Sequence, residues 1–163
     1  MSDFQDQEAS LPMLEGLVGP GAGMSALRDS IVQLERVMLT MPQLDVPILH
    51  HFAPGVYMRE MRAPAGATIT GKIHKTEHLN ILAAGDITVA TDTGMKRLQA
   101  PCVILSRPGT KRAAYCHSDV CWITVHATDE TDIPTLEAML VTDSFDDQAL
   151  AALAAGRLEI EGN

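Results

Sequence analysis

The stretch Gly66-Ala-Thr-Ile-Thr-Gly-Lys-Ile-His-Lys-Thr-Glu-His-Leu-Asn-Ile-Leu-Ala-Ala-Gly85 carries two histidines, His74 and His78, among short runs of strand-forming residues. Side chains two or four residues apart on a strand point to the same face. The sequence therefore predicts that His74 and His78 line one surface, with Lys72 and Asn80 beside them, provided that any local turn or bulge is even-numbered. We expect this surface on the inner wall of a β-barrel, and it is the best candidate site in the chain.

Short strand-like runs continue through most of the chain after Pro47. They are rich in Val, Ile and Thr, and turn formers such as Gly85-Asp86 and Pro108-Gly109 separate them, which leaves no room for crossover helices between parallel strands. The pattern predicts an all-β core, an antiparallel sandwich or barrel. Its strand-like runs are 55–62, 67–74, 78–82, 86–91, 101–106, 112–116 and 121–126.

Helical flanks are predicted on both sides of a barrel that spans 47–128. Residues 1–23 lack periodicity and are predicted to form a flexible leader. An amphipathic helix is expected over 24–41, with its apolar stripe on its own domain or on a sister subunit, because apolar residues recur at helical spacing until Pro42. The tail, 129–163, is acidic and is expected to form two short helices, at 132–140 and at 144–155.

Charge is distributed unevenly around a net value of −9. Acidic residues dominate residues 1–20 and the tail, whereas nearly all Lys and Arg residues lie in the middle of the chain. This distribution argues against nucleic-acid binding but allows a small anionic ligand in a mildly basic barrel.

The compartment is predicted from the absence of membrane and secretion signals. No stretch is long and apolar enough to span a membrane, and the N-terminus is acidic where a signal peptide would be basic. We therefore expect a cytoplasmic protein without a membrane partner. Three cysteines, Cys102, Cys116 and Cys121, lie on apolar segments. They lack the paired spacing of a structural metal site, so we expect buried, reduced thiols.

The region from Gly66 to Cys116 resembles the cupins, small jelly-roll barrels with two characteristic motifs. The five fixed positions of the first motif, G-x5-H-x-H-x3-E-x6-G, correspond to Gly66, Lys72, His74, His78 and Gly85. Lys72 replaces the first histidine of the motif, and His78 replaces its glutamate. The second motif, G-x5-P-x-G-x2-H-x3-N, matches at Gly109 alone, with Pro101, Arg107, Arg112 and Cys116 at its other positions.

A closer resemblance is to uncharacterised cupin-like proteins encoded by tailed bacteriophages. It is carried by the phrases 71–75 (Gly-Lys-Ile-His-Lys), 108–112 (Pro-Gly-Thr-Lys-Arg) and 122–126 (Trp-Ile-Thr-Val-His). This kinship implies no known activity.

The resemblance to cupins implies a divalent metal, because ordinary cupins hold one with these motif residues. Here His74 and His78 are the motif positions able to ligate, since Lys72 and Arg112 stay protonated. His126 is the first choice for a third ligand, with Glu60 and Tyr57 as alternatives. Two imidazoles with one further histidine or carboxylate and open positions suit Fe, Mn, Ni or Zn.

Cationic residues at former ligand positions predict an anionic ligand. Lys72 and Arg112 would point into the barrel, where an anion must balance them, and Arg59 and Tyr57 could join the same pocket. The alternative is a structural ion pair with Glu60 or Glu77.

Two classes of function remain open at the level of sequence. The first is a metal-dependent enzyme of the lyase, isomerase or dioxygenase type acting on a small anionic molecule, with Tyr115 or a metal-bound water as the proton-transfer group. The second is a non-catalytic ligand-binding or assembly module that has lost the metal. Cupin barrels often pair, so the resemblance also implies a homodimer.

Overall fold

Antiparallel strand pairing organises the chain into two sheets that face each other across a shared interior. The computed structural model describes residue 14 and residues 24–91 and 94–146. Its strands are β1 (Ile48–Ala53), β2 (Val56–Ala63), β3 (Thr68–Thr70), β4 (Ile73–His74), β5 (His78–Ala84), β6 (Asp86–Thr91), β7 (Gly94–Gln99), β8 (Cys102–Ser106), β9 (Ala113–Cys116), β10 (Val120–Ala127) and β11 (Val141–Thr142). Its helices are α1 (Met24–Met38) and α2 (Ile133–Leu140).

The larger sheet has the strand order β1-β2-β10-β5-β8, and the smaller sheet has the order β3-β9-β6-β7. A two-stranded pair, β4 with β11, lies beside them. Every pairing between these strands is antiparallel. The predicted all-β core, a jelly-roll barrel of antiparallel strands, is therefore confirmed.

The main core lies between the two sheets, where alternate residues of each strand meet. Leu82 and Val120 from the larger sheet pack with Ile87, Val89 and Ala114 from the smaller one. Ala63, Ala67 and Cys116 complete this cluster. It fills one part of the barrel and leaves another part open to form a cavity.

Helix α1 packs on the outer face of the smaller sheet. Leu27, Ile31 and Leu34 are buried there against Ala90 and Ala113. The apolar stripe of the helix thus packs on its own domain, which was one of the two expected outcomes. A homodimer stays a prediction, and it would have to use a different surface from this stripe.

The helix ends at Met38, three residues before the end predicted at 41. The side-chain amide of Gln43 donates to the Met38 carbonyl oxygen at 2.8 Å, and Met41 N–H donates to the same carbonyl at 3.0 Å. These bonds satisfy a terminal carbonyl that the next helical turn would otherwise have used. Most of the predicted leader lies outside the described residues, and its one described member, Leu14, is buried against the α1 cluster.

The first of the two predicted tail helices is present as α2. Asp132 caps it by accepting a hydrogen bond from Thr135 N–H at 3.0 Å, and Pro134 occupies its first turn. Strand β11 follows immediately and pairs with β4, which brings Val141 opposite His74. The second predicted helix lies outside the described residues from position 147 onward.

Two further predictions are tested by the fold. Cys102, Cys116 and Cys121 are free thiols, as expected, although only Cys116 is fully buried. No helix in the described ranges is long and apolar enough to cross a lipid bilayer.

Candidate functional site

Three histidines from three different strands meet at one end of the interior. The rings of His74 and His78 lie 3.9 Å apart between centroids, those of His78 and His126 lie 4.9 Å apart, and those of His74 and His126 lie 5.6 Å apart. We call these three residues the histidine triad. Its members come from β4, β5 and β10.

Strand register explains why His126 joins the two motif histidines. On β10, Val125 pairs with Leu79 of β5, so the next residue, His126, lies beside His78. On the other side of β10, His126 pairs with Tyr57 of β2, whose ring stacks on it at 6.1 Å between centroids. His126 and His78 therefore belong to one row of inward-facing side chains across the larger sheet, and His74 approaches them from β4.

All three imidazoles are held in their neutral form. Burial is the main cause that lowers the pKa of His74 to about 2 and that of His126 to about 4, with smaller contributions from neighbouring histidines and from the charge of Arg59. Burial also lowers the pKa of His78, against the opposing effect of its hydrogen bond to Thr76. Removing imidazolium from water costs more than removing imidazole, so neutral rings with available lone pairs are favoured.

Hydrogen bonding distinguishes the nitrogens of the triad. His78 Nδ1 lies 3.0 Å from the Thr76 carbonyl oxygen, which only accepts, so Nδ1 carries the proton and Nε2 the lone pair. His74 Nδ1 and His126 Nδ1 are buried without a hydrogen-bond partner. A buried polar atom without a partner costs free energy, so these two nitrogens mark a place where a ligand would be stabilising.

The donor chemistry of the triad fits a divalent transition metal, whereas the present ring orientations do not. Two imidazoles on one metal, with metal–nitrogen distances of about 2 Å, place their centroids roughly 5 Å apart. The pairs that include His126 are near this spacing, and the pair His74 and His78 is closer. Within the described part of the chain, no group of three or more His, Cys, Asp or Glu side chains is arranged to hold a metal ion.

A chain of hydrogen bonds crosses the inner wall next to the triad. Trp122 Nε1–H donates to Asn80 Oδ1 at 3.1 Å, and Asn80 Nδ2–H donates to Ser106 Oγ at 2.6 Å. Arg112 Nη2–H donates to the same Ser106 oxygen at 2.7 Å. This chain fixes the guanidinium of Arg112 beside His78, whose pKa its charge also lowers.

A cavity of about 400 Å³ opens at the triad. Its polar lining includes the triad together with Arg59, Arg112, Tyr57 and Lys72, so the residues predicted for metal and for ligand do share one cavity. Arg59 is exposed at the mouth, while Arg112 is half-buried. From α2 and β11, Leu136, Leu140 and Val141 close one side.

Lys72 lines the cavity only at its rim and is not buried in the barrel, where the prediction placed it. Its side chain is 54% exposed at the rim, and its ammonium lies 4.0 Å from Asp143 Oδ1. The reason is local: only Ile73 and His74 pair with β11 at this point, and Lys72 precedes them in an extended segment outside the sheets.

Tyr115 is also misplaced by the sequence prediction. It lies on the outer face of the smaller sheet, packed against the α1 cluster and edge-on to His117 at 5.0 Å. Its neighbour Ala114 is the residue of β9 that lines the cavity. The proposed proton-transfer role of Tyr115 is therefore corrected.

Glu60, an alternative metal ligand, lies on the outer face of the larger sheet. Its carboxylate accepts from Arg62 Nε at 2.6 Å and contacts His51 Nε2 at 2.9 Å, and these two bonds lower its pKa. The predicted ion pair of Glu60 with Lys72 or Arg112 is likewise replaced by these contacts. Tyr57, the other alternative, lines the cavity, and its hydroxyl lies 2.8 Å from His50 Nδ1.

Ser106 is a site residue that sequence reasoning missed. It is buried and pairs with His78 across β8 and β5. Alternation along the strand places Ser106 on the same face as Ile104 and Cys102, and this pattern could have indicated that it points inward. A serine at the end of a strand is also common in turns, so the sequence did not single it out.

No family model and no curated protein matches the chain. Among solved structures, a cupin superfamily protein from Desulfitobacterium hafniense matches at 11% identity and a TM-score of 0.44, over 55% of this chain and 83% of that one. A putative ethanolamine utilization protein from Salmonella typhimurium matches at 11% identity and a TM-score of 0.45, over 53% of this chain and 72% of that one.

A cupin protein from Bacteroides fragilis matches at 16% identity and a TM-score of 0.43, over 56% of this chain and 85% of that one. The chain is similar in structure to cupin-superfamily proteins. Similarity at this level concerns the fold alone, because one fold supports many unrelated activities.

Proposed function

We propose that the protein binds a small anionic molecule in this cavity, beside a divalent transition metal held by His74, His78 and His126. The observation that carries the proposal is the meeting of three buried, neutral imidazoles with the guanidinium of Arg112 at one end of a cavity of about 400 Å³. Neutral imidazole is the form of histidine that ligates metals.

Two features of the triad support a metal. His74 Nδ1 and His126 Nδ1 lack hydrogen-bond partners, and coordination of a metal ion by these nitrogens would satisfy them. The bond from His78 Nδ1–H to the Thr76 carbonyl is the kind of outer contact that orients a ligating histidine. A bound Fe, Mn, Ni or Zn ion would supply a Lewis acid with open positions for a chelating acid.

The residues around the triad support an anion. Arg112 is fixed through Ser106, and a guanidinium can hold a carboxylate by two parallel hydrogen bonds. Arg59 adds positive charge at the mouth, and both arginines lower the pKa of His74 by their charge. Binding an anion here would offset the cost of holding the guanidinium of Arg112 partly out of water.

A second candidate function is metal-independent binding of an anion in the same cavity. One observation favours it: across residues 24–91 and 94–146, no three side chains of the metal-binding types are oriented for a metal ion. Under this alternative, Arg112 and the ring N–H groups of His74 and His126 donate hydrogen bonds to the anion.

Elemental analysis of untagged protein distinguishes the two candidates. We would compare the parent with a His78→Ala, His126→Ala double variant and with a matched control, His51→Ala, His117→Ala, which removes two histidines that do not line the cavity. Near-stoichiometric metal in the parent and control, and none in the triad variant, is the expected result. Metal absent from the parent after reconstitution with Fe, Mn, Ni and Zn salts would refute the metal site.

A further inference from the structure

The inner face of the larger sheet is graded from polar to apolar along its strands. Cross-strand pairing defines three successive rows on β2, β10 and β5. The first row is Tyr57, His126 and His78, the second is Arg59, Thr124 and Asn80, and the third is Met61, Trp122 and Leu82. Successive rows are two residues apart, or about 7 Å along the strand.

The smaller sheet continues the apolar end of this gradient. Ile69, Ala114 and Val89 form a cross-strand row on β3, β9 and β6, and all three line the cavity. Ala114 and Val89 belong to the same apolar cluster as Leu82, and Ile69 and Trp122 pack against that cluster. The end of the cavity away from the triad therefore has apolar walls on both sides.

The volume of the cavity exceeds what a small polar acid would use. About 400 Å³ corresponds to roughly thirteen molecules of water at about 30 Å³ each. An acid of two or three carbons would occupy the polar end and would not reach the apolar row of Ile69, Val89 and Ala114. Water filling that space would find few hydrogen-bond partners on those walls.

We infer that the ligand of this cavity is a carboxylic acid with an apolar tail, its carboxylate at Arg112 and the triad and its tail between Trp122 and the row Ile69, Ala114 and Val89. This inference rests on the proposed function, because it assumes that an anion binds at the polar end. It adds the chemical class of the rest of the molecule.

Trp122 provides a direct readout, because it is the single tryptophan of the chain and lines the cavity. We would titrate the protein as purified with acetate, butyrate, hexanoate, octanoate and 1-octanol, and follow tryptophan fluorescence together with calorimetry. Affinity should rise about fourfold for each methylene added to the acid, since the apolar walls remove the tail from water.

A cavity-filling variant tests the position of the tail. Ala114→Leu places extra carbons in the apolar row, whereas Ala83→Leu makes the same change at an exposed position outside the cavity. Octanoate affinity should fall at least tenfold in Ala114→Leu and stay within twofold of the parent in Ala83→Leu. Thermal unfolding of both variants shows whether each is folded, and Val89→Ala, which widens the same row, replaces Ala114→Leu if that variant does not fold.

With Val89→Ala, the dependence of affinity on tail length should become weaker.

The titrations of the parent protein test the apolar tail and the anion site separately. Acetate binding as tightly as octanoate would overturn the apolar tail and leave the proposed anion site standing. Octanol binding as tightly as octanoate would overturn the acid, and with it the proposed anion site, and no binding by any of the acids would overturn both.

Discussion

Lys111 and Glu35 form an ion pair that joins α1 to the segment immediately before β9, which also carries Arg112. Lys111 Nζ lies 3.0 Å from Glu35 Oε1 and 2.9 Å from the Gly71 carbonyl oxygen, and the lysine is only 8% exposed. The Glu35 carboxylate also accepts from Thr70 Oγ1–H at 3.0 Å. One carboxylate on the helix thus holds the end of β3 and the segment before β9 at the rim of the cavity.

Glu35→Ala should destabilise the protein more than Lys111→Met does. The first change leaves a buried ammonium without its counter-charge, at a cost of about 2 kcal/mol after allowing for the partial exposure of Glu35, while the second replaces the cation by an apolar group of similar length. Urea unfolding of the two variants measures the difference. If Lys111→Met were the more damaging variant, the loss of a counter-charge for the buried ammonium would not explain the effect of Glu35→Ala.

Gly85→Ala should be among the most damaging single changes in the barrel. Gly85 has φ +96°, and a Cβ there would overlap the Asp119 carbonyl oxygen and lie 2.9 Å from Val120 Cγ2. We expect a loss of about 3 kcal/mol or more in the free energy of unfolding, because both strain and overlap must be relieved.

Gly55→Ala is the matched control for this prediction. Gly55 also has positive φ, +74°, but an added Cβ would meet nothing within 4 Å. Its cost should be near 1 kcal/mol, from backbone strain alone. Equal losses in the two variants would show that the close contact at Gly85 contributes little.

Asn80→Leu should destabilise the inner wall by about 2 kcal/mol, because it leaves the half-buried Trp122 indole N–H without its acceptor and removes a donor to Ser106. The same substitution in a Trp122→Phe background should cost less, since that background has no indole N–H to leave unpaired. A double-mutant cycle by thermal unfolding measures this coupling. Additive losses would contradict the direct bond.

The stabilising effect of Asp86 should disappear in acid. Two bonds from Arg97 and one from Gln99 lower the pKa of Asp86 from 3.8 to about 2. Because the folded-state pKa lies below the unfolded one, its contribution is complete above about pH 4 and is lost as pH falls toward 2. Asp86→Asn should therefore lower the melting temperature at pH 6 and have little effect at pH 2.

Arg97→Gln provides the partner test for the same pair. It should reproduce the pH dependence of Asp86→Asn, because the pKa of Asp86 is lowered mainly by its hydrogen bonds to Arg97. A difference from the parent that persists unchanged at pH 2 would show that these variants act through packing and not through the charge of Asp86.

Local patterns in the sequence determined the strands, the turns and part of the site. Alternation of apolar and polar residues identified the antiparallel core, and the same alternation placed Trp122, Thr124 and His126 on one face. The sequence also located the helix at 132–140, which the structure shows as α2, capped by Asp132. These features depend on residues close together in the chain, where the geometry of a strand or a helix end relates side chains directly.

Which face of each strand looks inward was decided only by tertiary structure. Tyr115 and Ala114 are adjacent on β9, and the packing of α1 against one side of that strand sends Tyr115 outward and leaves Ala114 to line the cavity. Lys72 lies at the rim because the pairing of β4 with β11 starts after it. Ser106, Asn80 and Arg112 meet because two strands and a loop converge there.

The physical reason is that alternation determines which residues of one strand share a face, but it does not determine which of the two faces packs against the other sheet. That choice comes from burying apolar area between the sheets and beneath α1, which requires contacts between residues far apart in the chain. The sequence by itself therefore determined the antiparallel barrel and its candidate histidines. Only the packed structure decided which side chains share the cavity and how its polar and apolar ends are arranged.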